Sequence, residues 1–448
     1  MSSAVENPAR PAWIRALLAL ALLLVALVTA AHFLRAREMG LVAVSLLAPL
    51  LLLAHRGWAV RALELLILST AGLWVWTTVQ LVHLRVHHGL PWLRMALILG
   101  AVALVTALAS LIPRRLRPSP AQPAPAWAFG LTCLLLGIVQ VKLQSRPMLL
   151  LERFVPTLGW LEIFALALYA GWIAEKLLDV EQSGRWRRRL WTLFSVVFFA
   201  QLALGLLGVE RCLMTPHRMH FPIPALIVAG PLFRGEHFFM LILFAVTVVL
   251  VGPAWCSHLC YLGAWDQRAA DGRRKLRGLS PGLRNPLRLS LLLLVVSAAI
   301  ALRLAGASAA LAGGLALGFG LLGVGVMLIA SRRRGLLVHC TLYCPIGLLA
   351  TALGRINPFR VVIAEGCDRC MRCKLACRYD ALDAEAIERG RPRATLCTLC
   401  GDCLASCRER FLEYRLFGRP WVRPDLVRGA FIALTVALHA ATLGLARI

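Results

Sequence analysis

Long apolar runs alternate with short, arginine-rich polar connections along almost the whole chain. A helix crosses the hydrocarbon of a bilayer with about 20 predominantly apolar residues. Eleven stretches meet or approach that length: 14–34, 39–54, 62–84, 92–112, 127–145, 157–179, 190–209, 237–255, 287–305, 308–330 and 429–446. The second is short, and Lys142 interrupts the fifth. The first resembles the core of a signal peptide, with Val28-Thr29-Ala30-Ala31 as a candidate cleavage site. The ten segments behind it favour an uncleaved helix. The pattern therefore predicts an all-α polytopic membrane protein of about eleven transmembrane helices, with a polar stretch at 361–415 between the tenth and eleventh.

Composition agrees: 59% of the 448 residues are hydrophobic and the mean hydropathy is +0.74. The net charge of +27 invites a nucleic-acid reading. Its distribution excludes that, because the basic residues sit in connections between apolar segments and form no soluble basic face. They encode orientation instead, since cytoplasmic loops collect Lys and Arg. Arg114, Arg115 and Arg117; Arg185, Arg187, Arg188 and Arg189; Arg273, Arg274, Lys275 and Arg277; and Arg332, Arg333 and Arg334 follow the fourth, sixth, eighth and tenth segments. All four connections then lie in the cytoplasm together with the N-terminus and the polar stretch. The expected location is a bacterial cytoplasmic (inner) membrane, crossed many times.

That polar stretch carries the run Cys367-x2-Cys370-x2-Cys373-x3-Cys377 and a second, Cys397-x2-Cys400-x2-Cys403-x3-Cys407. This is the ligand spacing of bacterial ferredoxins with two [4Fe–4S] clusters, in which the last cysteine of each run ligates the other run's cluster. Three thiolates on one tight loop clasp three corners of a cube, and the fourth corner points elsewhere. The expected sets are Cys367, Cys370, Cys373 and Cys407 for one cluster, and Cys397, Cys400, Cys403 and Cys377 for the other. Two zinc ions would also take eight thiolates, but zinc sites rarely repeat a four-cysteine run of this form. Structural disulfides do not suit the reducing cytoplasm. Arg378 and Arg408 stand where bacterial runs have proline, and a positive charge beside a cluster favours its reduced form.

Four further cysteines form two matched pairs. Trp255-Cys256-Ser-His-Leu-Cys260-Tyr-Leu-Gly263 follows the eighth segment, and His339-Cys340-Thr-Leu-Tyr-Cys344-Pro-Ile-Gly347 follows the tenth, with Cys256, Cys260 and Gly263 repeated at a constant offset of 84 residues. The seventh to tenth helices thus read as a duplicated unit, and such units commonly build a shared site at their interface. On a helix the i and i+4 positions share a face, so each pair presents two thiols in one direction. A redox-active dithiol, a soft-metal site for copper(I) or zinc, and a further iron–sulfur centre all fit four facing thiols.

A C-x3-C after one helix pair, a C-x3-C-P after the next and then a two-run ferredoxin stretch resembles the NapH/NosR/CcoG-type membrane polyferredoxins. The NapH-like 4Fe-4S ferredoxin-type quinol dehydrogenase subunit of four helices is the nearest pattern, over roughly residues 190–415. Tyr261 departs from it where the first pair would have its proline, as do the six additional helices in front and one behind. The resemblance implies quinol oxidation feeding a reductase, or, in the CcoG-like branch, reduction of copper(II) during oxidase assembly.

The longest outer connection, Glu210 to Glu236, holds Cys212, His217 and His220. Histidine titrates near neutrality and suits the protons a quinol releases, so His217 and His220 are weak candidates for a quinone or metal site. No C-x-x-C-H attaches a c-type haem, and His83, His87, His88 and His439 offer no clean axial pair. Gly314-x-x-x-Gly318 in the tenth helix reads as close helix packing.

The expected organisation is 1–185, membrane helices of unassigned role; 186–360, the duplicated unit with both C-x3-C motifs; 361–415, a small α+β bacterial-type 2[4Fe-4S] ferredoxin module; and 416–448, a last membrane helix. The expected function is membrane-bound iron–sulfur electron transfer between the quinone/quinol pool and a partner redox protein. In enzyme terms this is a quinol-oxidising or quinone-reducing subunit of an oxidoreductase complex. The alternative is a cupric reductase or metallocofactor assembly factor that works through the paired cysteines. No G-x-G-x-x-G fingerprint follows a suitable strand, so a partner, not a bound nicotinamide, exchanges the electrons.

Overall fold

The computed structural model describes residues 11–117, 122–143, 148–212, 221–273 and 281–445. Among them nine helices are long and apolar enough to cross a membrane: Trp13–Arg35, Gly57–His87, Leu93–Leu116, Pro123–Lys142, Val180–Leu206, Phe239–Leu259, Gly282–Leu304, Ala309–Arg334 and Pro424–Leu445. The two other expected segments do form helix. Met39–Ala54 is shorter, changing from α to 3-10 geometry at Ala48, one residue before Pro49. Gly159–Leu178 is long enough but carries Glu162, Glu175 and Lys176. In a membrane the backbone must satisfy its own hydrogen bonds, so apolar runs of this length settle as helices.

The chain divides into two compact units, Met1–Gly171 and Trp172–Ile448. The first is built around Trp58, Leu63, Phe129, Phe164 and Ala167. Glu64, 4% exposed in the core of a membrane helix, is held there by Arg114, whose Nε and Nη2 donate to its two oxygens at 2.5 and 2.7 Å. Breaking such a pair strands a buried charge.

In the second unit a two-stranded antiparallel sheet joins β1, Phe359–Ile363, to β2, Leu412–Leu416, with Val361 opposite Tyr414. Alternation of the pleat puts Phe359, Val361, Leu412 and Tyr414 on the buried face. Between the strands lie three five-residue helices, Arg372–Ala376, Ala384–Glu388 and Asp402–Ser406. Asn357, fully buried, precedes β1 and donates to the carbonyls of Val249 and Leu250 at 2.9 and 2.7 Å. It thereby ties the small sheet to the C-terminal end of the Phe239–Val251 helix, where carbonyls lack helical partners.

The glycines of Ala309–Val326 are used differently from the expected packing motif. A Cβ on Gly314 or Gly318 would meet nothing within 4 Å, whereas one on Gly320 would strike Ile223 and one on Gly323 the ring of His339. Close approach in this chain therefore falls on the face of Gly320 and Gly323, rotated from the Gly314–Gly318 stripe.

Candidate functional site

The two cysteine runs adopt the same backbone at an offset of 30 residues. Arg369 and Leu399, Met371 and Gly401, and Asp380 and Arg410 all take positive φ, and the helices 372–376 and 402–406 repeat at the same interval. Left-handed non-glycine residues cost roughly 1–2 kcal/mol each, and such strain gathers where a loop must wrap a site. Here it curls each run so that its first three thiols turn inward.

Each loop closes over a cavity. One is lined by Cys377, Cys397, Cys400 and Cys403, with Val361, Tyr379 and Leu399. The other is lined by Cys367, Cys370, Cys373 and Cys407, with Ile363, Ile387 and Phe411. Each cavity thus gathers three cysteines of one run and the last of the other. Burial pushes the thiols of Cys397 (to about 12), Cys400 and Cys403 up. A bound cation is what holds such sulfurs as thiolates at neutral pH, so the donor chemistry fits an iron cluster. The cavities differ in exposure: Cys370 is at the surface, while Cys377 and Cys403 are buried.

The paired cysteines meet in the second unit, though not on α-helix. Trp255–Leu259 and His339–Tyr343 are both single π-turns, closed by Cys260 N–H to Trp255 O at 3.0 Å and Cys344 N–H to His339 O at 2.8 Å. Cys260 and Cys344 then leave the turn with nearly identical extended geometry, φ/ψ −79/117° and −74/118°. Pro345 explains the second, because a residue before proline is driven out of the helical region. Tyr261 lacks that constraint and the first copy follows the same path. Gly263 and Gly347 are required by it: a Cβ at Gly347 would lie 2.5 Å from Cys340 O, and one at Gly263 2.9 Å from Cys256 O.

The quartet is a shared site in which Cys256 and Cys260 are buried and Cys340 and Cys344 partly so. Cys256 and Cys344 pack in one apolar cluster with Val248, Ile346 and Ala350. Cys340 N–H donates to Asp266 Oδ2 at 2.9 Å, linking the second turn to the Gly263–Ala270 helix that follows the first. Burial, then the charge of Cys344, pushes Cys260 up to about 12, against N–H groups of Gly263 and Leu262 aimed at its sulfur. Cys344 is likewise raised by burial and likewise met by the N–H groups of Gly347 and Ile346. Cys340 rises through burial and the neighbouring Asp266, Cys260, Cys344 and Cys256. Among the described residues no three His, Cys, Asp or Glu side chains could hold one metal ion. A cubane is a larger body than one ion, so that finding bears on zinc and copper(I) and leaves a cluster untouched.

Several residues that tie these sites together look like loop charges in the sequence. Arg187 is 1% exposed and lies inside the Val180–Leu206 helix, which Asp179 caps well before the apolar run begins. Its guanidinium donates to Asp402 at 3.0 and 2.6 Å and to Ser257 O at 3.1 Å. Beside it Trp191 Nε1 donates to Cys260 O at 2.6 Å. Ser257 Oγ donates to Thr398 O at 3.1 Å, and Arg284 pairs with Asp380 at 3.2 Å. Arg378 spends its guanidinium on the carbonyls of Arg273 and Gly335. The second cysteine run is thereby seated on the first C-x3-C turn. His258 and His439 are both buried, with His439 hydrogen-bonded to the His258 backbone. Cys212 is buried at 3% exposure; His217 and His220 lie outside the described residues.

A family described as a 4Fe-4S binding domain matches residues 237–278. That segment holds Cys256 and Cys260, not the runs at 367–407. Searches of curated proteins and of solved structures return no match. The match and the apolar helices together support a membrane iron–sulfur protein.

Proposed function

We propose that this protein carries electrons between the quinone/quinol pool and a partner redox protein, through iron–sulfur clusters held against the cytoplasmic face of a bacterial inner membrane. The observation that carries the reading is the pair of cavities, each bounded by a crossed set of four cysteines, with the one around Cys397, Cys400 and Cys403 seated on the first C-x3-C turn. Cys367, Cys370, Cys373 and Cys407 would hold one [4Fe–4S] cluster, and Cys397, Cys400, Cys403 and Cys377 another. When bound, these groups supply one-electron oxidation and reduction. The chain's own residues supply the rest. Thiolates fix the groups, Val361, Leu399 and Tyr414 exclude water, and Arg187 holds the inner set against the helices. The exposed edge at Cys370 suits a soluble partner, and the apolar helices suit a lipid-soluble quinone. Sidedness rests on the arginine-rich connections. We take Met39–Ala54 and Gly159–Leu178 as crossings beside the nine long helices, which gives eleven among the described residues.

The soft-donor quartet favours one second reading, copper(II) reduction in cofactor assembly. Anaerobic mixing of the reduced protein with a menaquinone analogue or with copper(II), followed by cluster absorbance, separates them. Fast reoxidation by quinone alone supports the relay; fast reoxidation by copper with quinone inert overturns it.

A further inference from the structure

We infer that Cys256, Cys260, Cys340 and Cys344 hold a third [4Fe–4S] cluster, completed across the two copies of the repeat and charge-balanced by Arg288. This rests on the electron-transfer reading and gives the relay its membrane terminus.

Neither pair alone can close a cubane, which takes four thiolates. The segment that matches the 4Fe-4S family supplies only Cys256 and Cys260. The missing two arrive from the second copy: Cys344 packs into the apolar cluster of Cys256, and Cys340 is pinned by its N–H to Asp266. Both copies also direct two backbone N–H groups at their second sulfur, and such hydrogen bonds stabilise a metal-bound thiolate.

Arg288 supplies an independent argument. It is 2% exposed, inside the Gly282–Leu304 helix. Its Nη1 donates to Thr395 O at 2.7 Å and its Nη2 lies 3.4 Å from Thr351 Oγ1, while its Nε has no hydrogen-bond partner. A buried cation needs an anion. Arg288 lies beside the second turn, where a Cβ on Gly347 would sit 3.9 Å from its Nη2. A cubane with four thiolates is net negative and gives Arg288 that counter-charge.

The position suits a relay. Tyr379, 3% exposed, lines the cavity that holds Cys400, and the carbonyl of its neighbour Arg378 accepts from Leu337 N–H at 3.1 Å, three residues before Cys340. Each transfer moves one electron and makes or breaks no bond, so no further reactant is required.

The test is iron and acid-labile sulfide analysis of the full chain purified anaerobically in detergent, with EPR of the dithionite-reduced protein. The expected result is about twelve irons per chain, four per cubane, falling to about eight in C256S/C340S with two cluster signals retained. R288Q should keep all the iron and lower one midpoint potential by about 59 mV, a tenfold shift for a one-electron couple. R288K should restore it. About eight irons in the unmodified protein, or copper in place of iron at the quartet, overturns the third cluster and leaves the other two standing. No iron at all sinks the electron-transfer reading itself. Should C256S/C340S fail to fold, unchanged midpoints throughout in R288Q overturn the proposal by themselves.

Discussion

Arg187 and Asp402 stand 215 residues apart in sequence and share two hydrogen bonds, 3.0 and 2.6 Å, in a setting where the arginine is almost wholly buried. One partner belongs to a membrane helix and the other sits between Cys400 and Cys403 in the second cysteine run. Removing one side leaves a buried charge uncompensated, which costs about 3–5 kcal/mol. Arg187→Gln should therefore lower the apparent melting temperature and open 359–416 to limited proteolysis. Digestion kinetics matching the parent would mean the pair does not hold the small sheet in place.

Cluster loading is tested one cavity at a time. Cys370→Ser removes an exposed thiol of the outer set and Cys403→Ser a buried thiol of the inner one. Each should lose about four irons while the other cavity's EPR signal survives. Identical spectra from the two variants would contradict the crossed assignment.

The glycine after each C-x3-C pair gives a packing prediction with an internal control. Gly347→Ala drives a methyl against Cys340 O and should cost about 1–3 kcal/mol as an overpacked site. Gly318→Ala meets nothing and should be neutral or stabilising, since alanine favours helix over glycine by about 1 kcal/mol. Thermal melts of the two variants in the same detergent decide it; a neutral Gly347→Ala would show that the turn can move.

Stripping iron should uncouple the parts. Membrane helices satisfy their own backbone hydrogen bonds, whereas strained loops around empty cavities lose the ligand bonds that hold them. After anaerobic chelation the far-ultraviolet helical signal should persist, and hydrogen exchange should accelerate at Leu399–Cys407. Unchanged protection there would show that the loops fold without metal.

The cysteine runs were legible because ligand spacing is a local property: three thiols within seven residues and a fourth four further on. The helices were legible because hydrophobic length is local too. Arg187, Arg288 and Asp266 were not. In sequence they are ordinary charges, and only tertiary packing reveals that they are buried and bonded to the segments that carry the cysteines. The π-turns were hidden for a different reason, since C-x3-C spacing suits an α-helix equally well. What gave them a trace was the glycine that recurs three residues after each pair. Gly314 and Gly318 misled, because small-residue spacing says that a close approach is permitted but not which face makes it.

The contrast in exposure between Cys370 and the buried Cys377 and Cys403 has a consequence for life in air. Dioxygen and peroxide attack thiolates in proportion to their access. With cubanes in place, an oxidant from the aqueous side reaches Cys370 before the buried Cys377 and Cys403. Damage would fall on the outer cavity before it touched the inner one. The outermost cavity would thus act as a sacrificial fuse, and reloading that one cavity would suffice for repair.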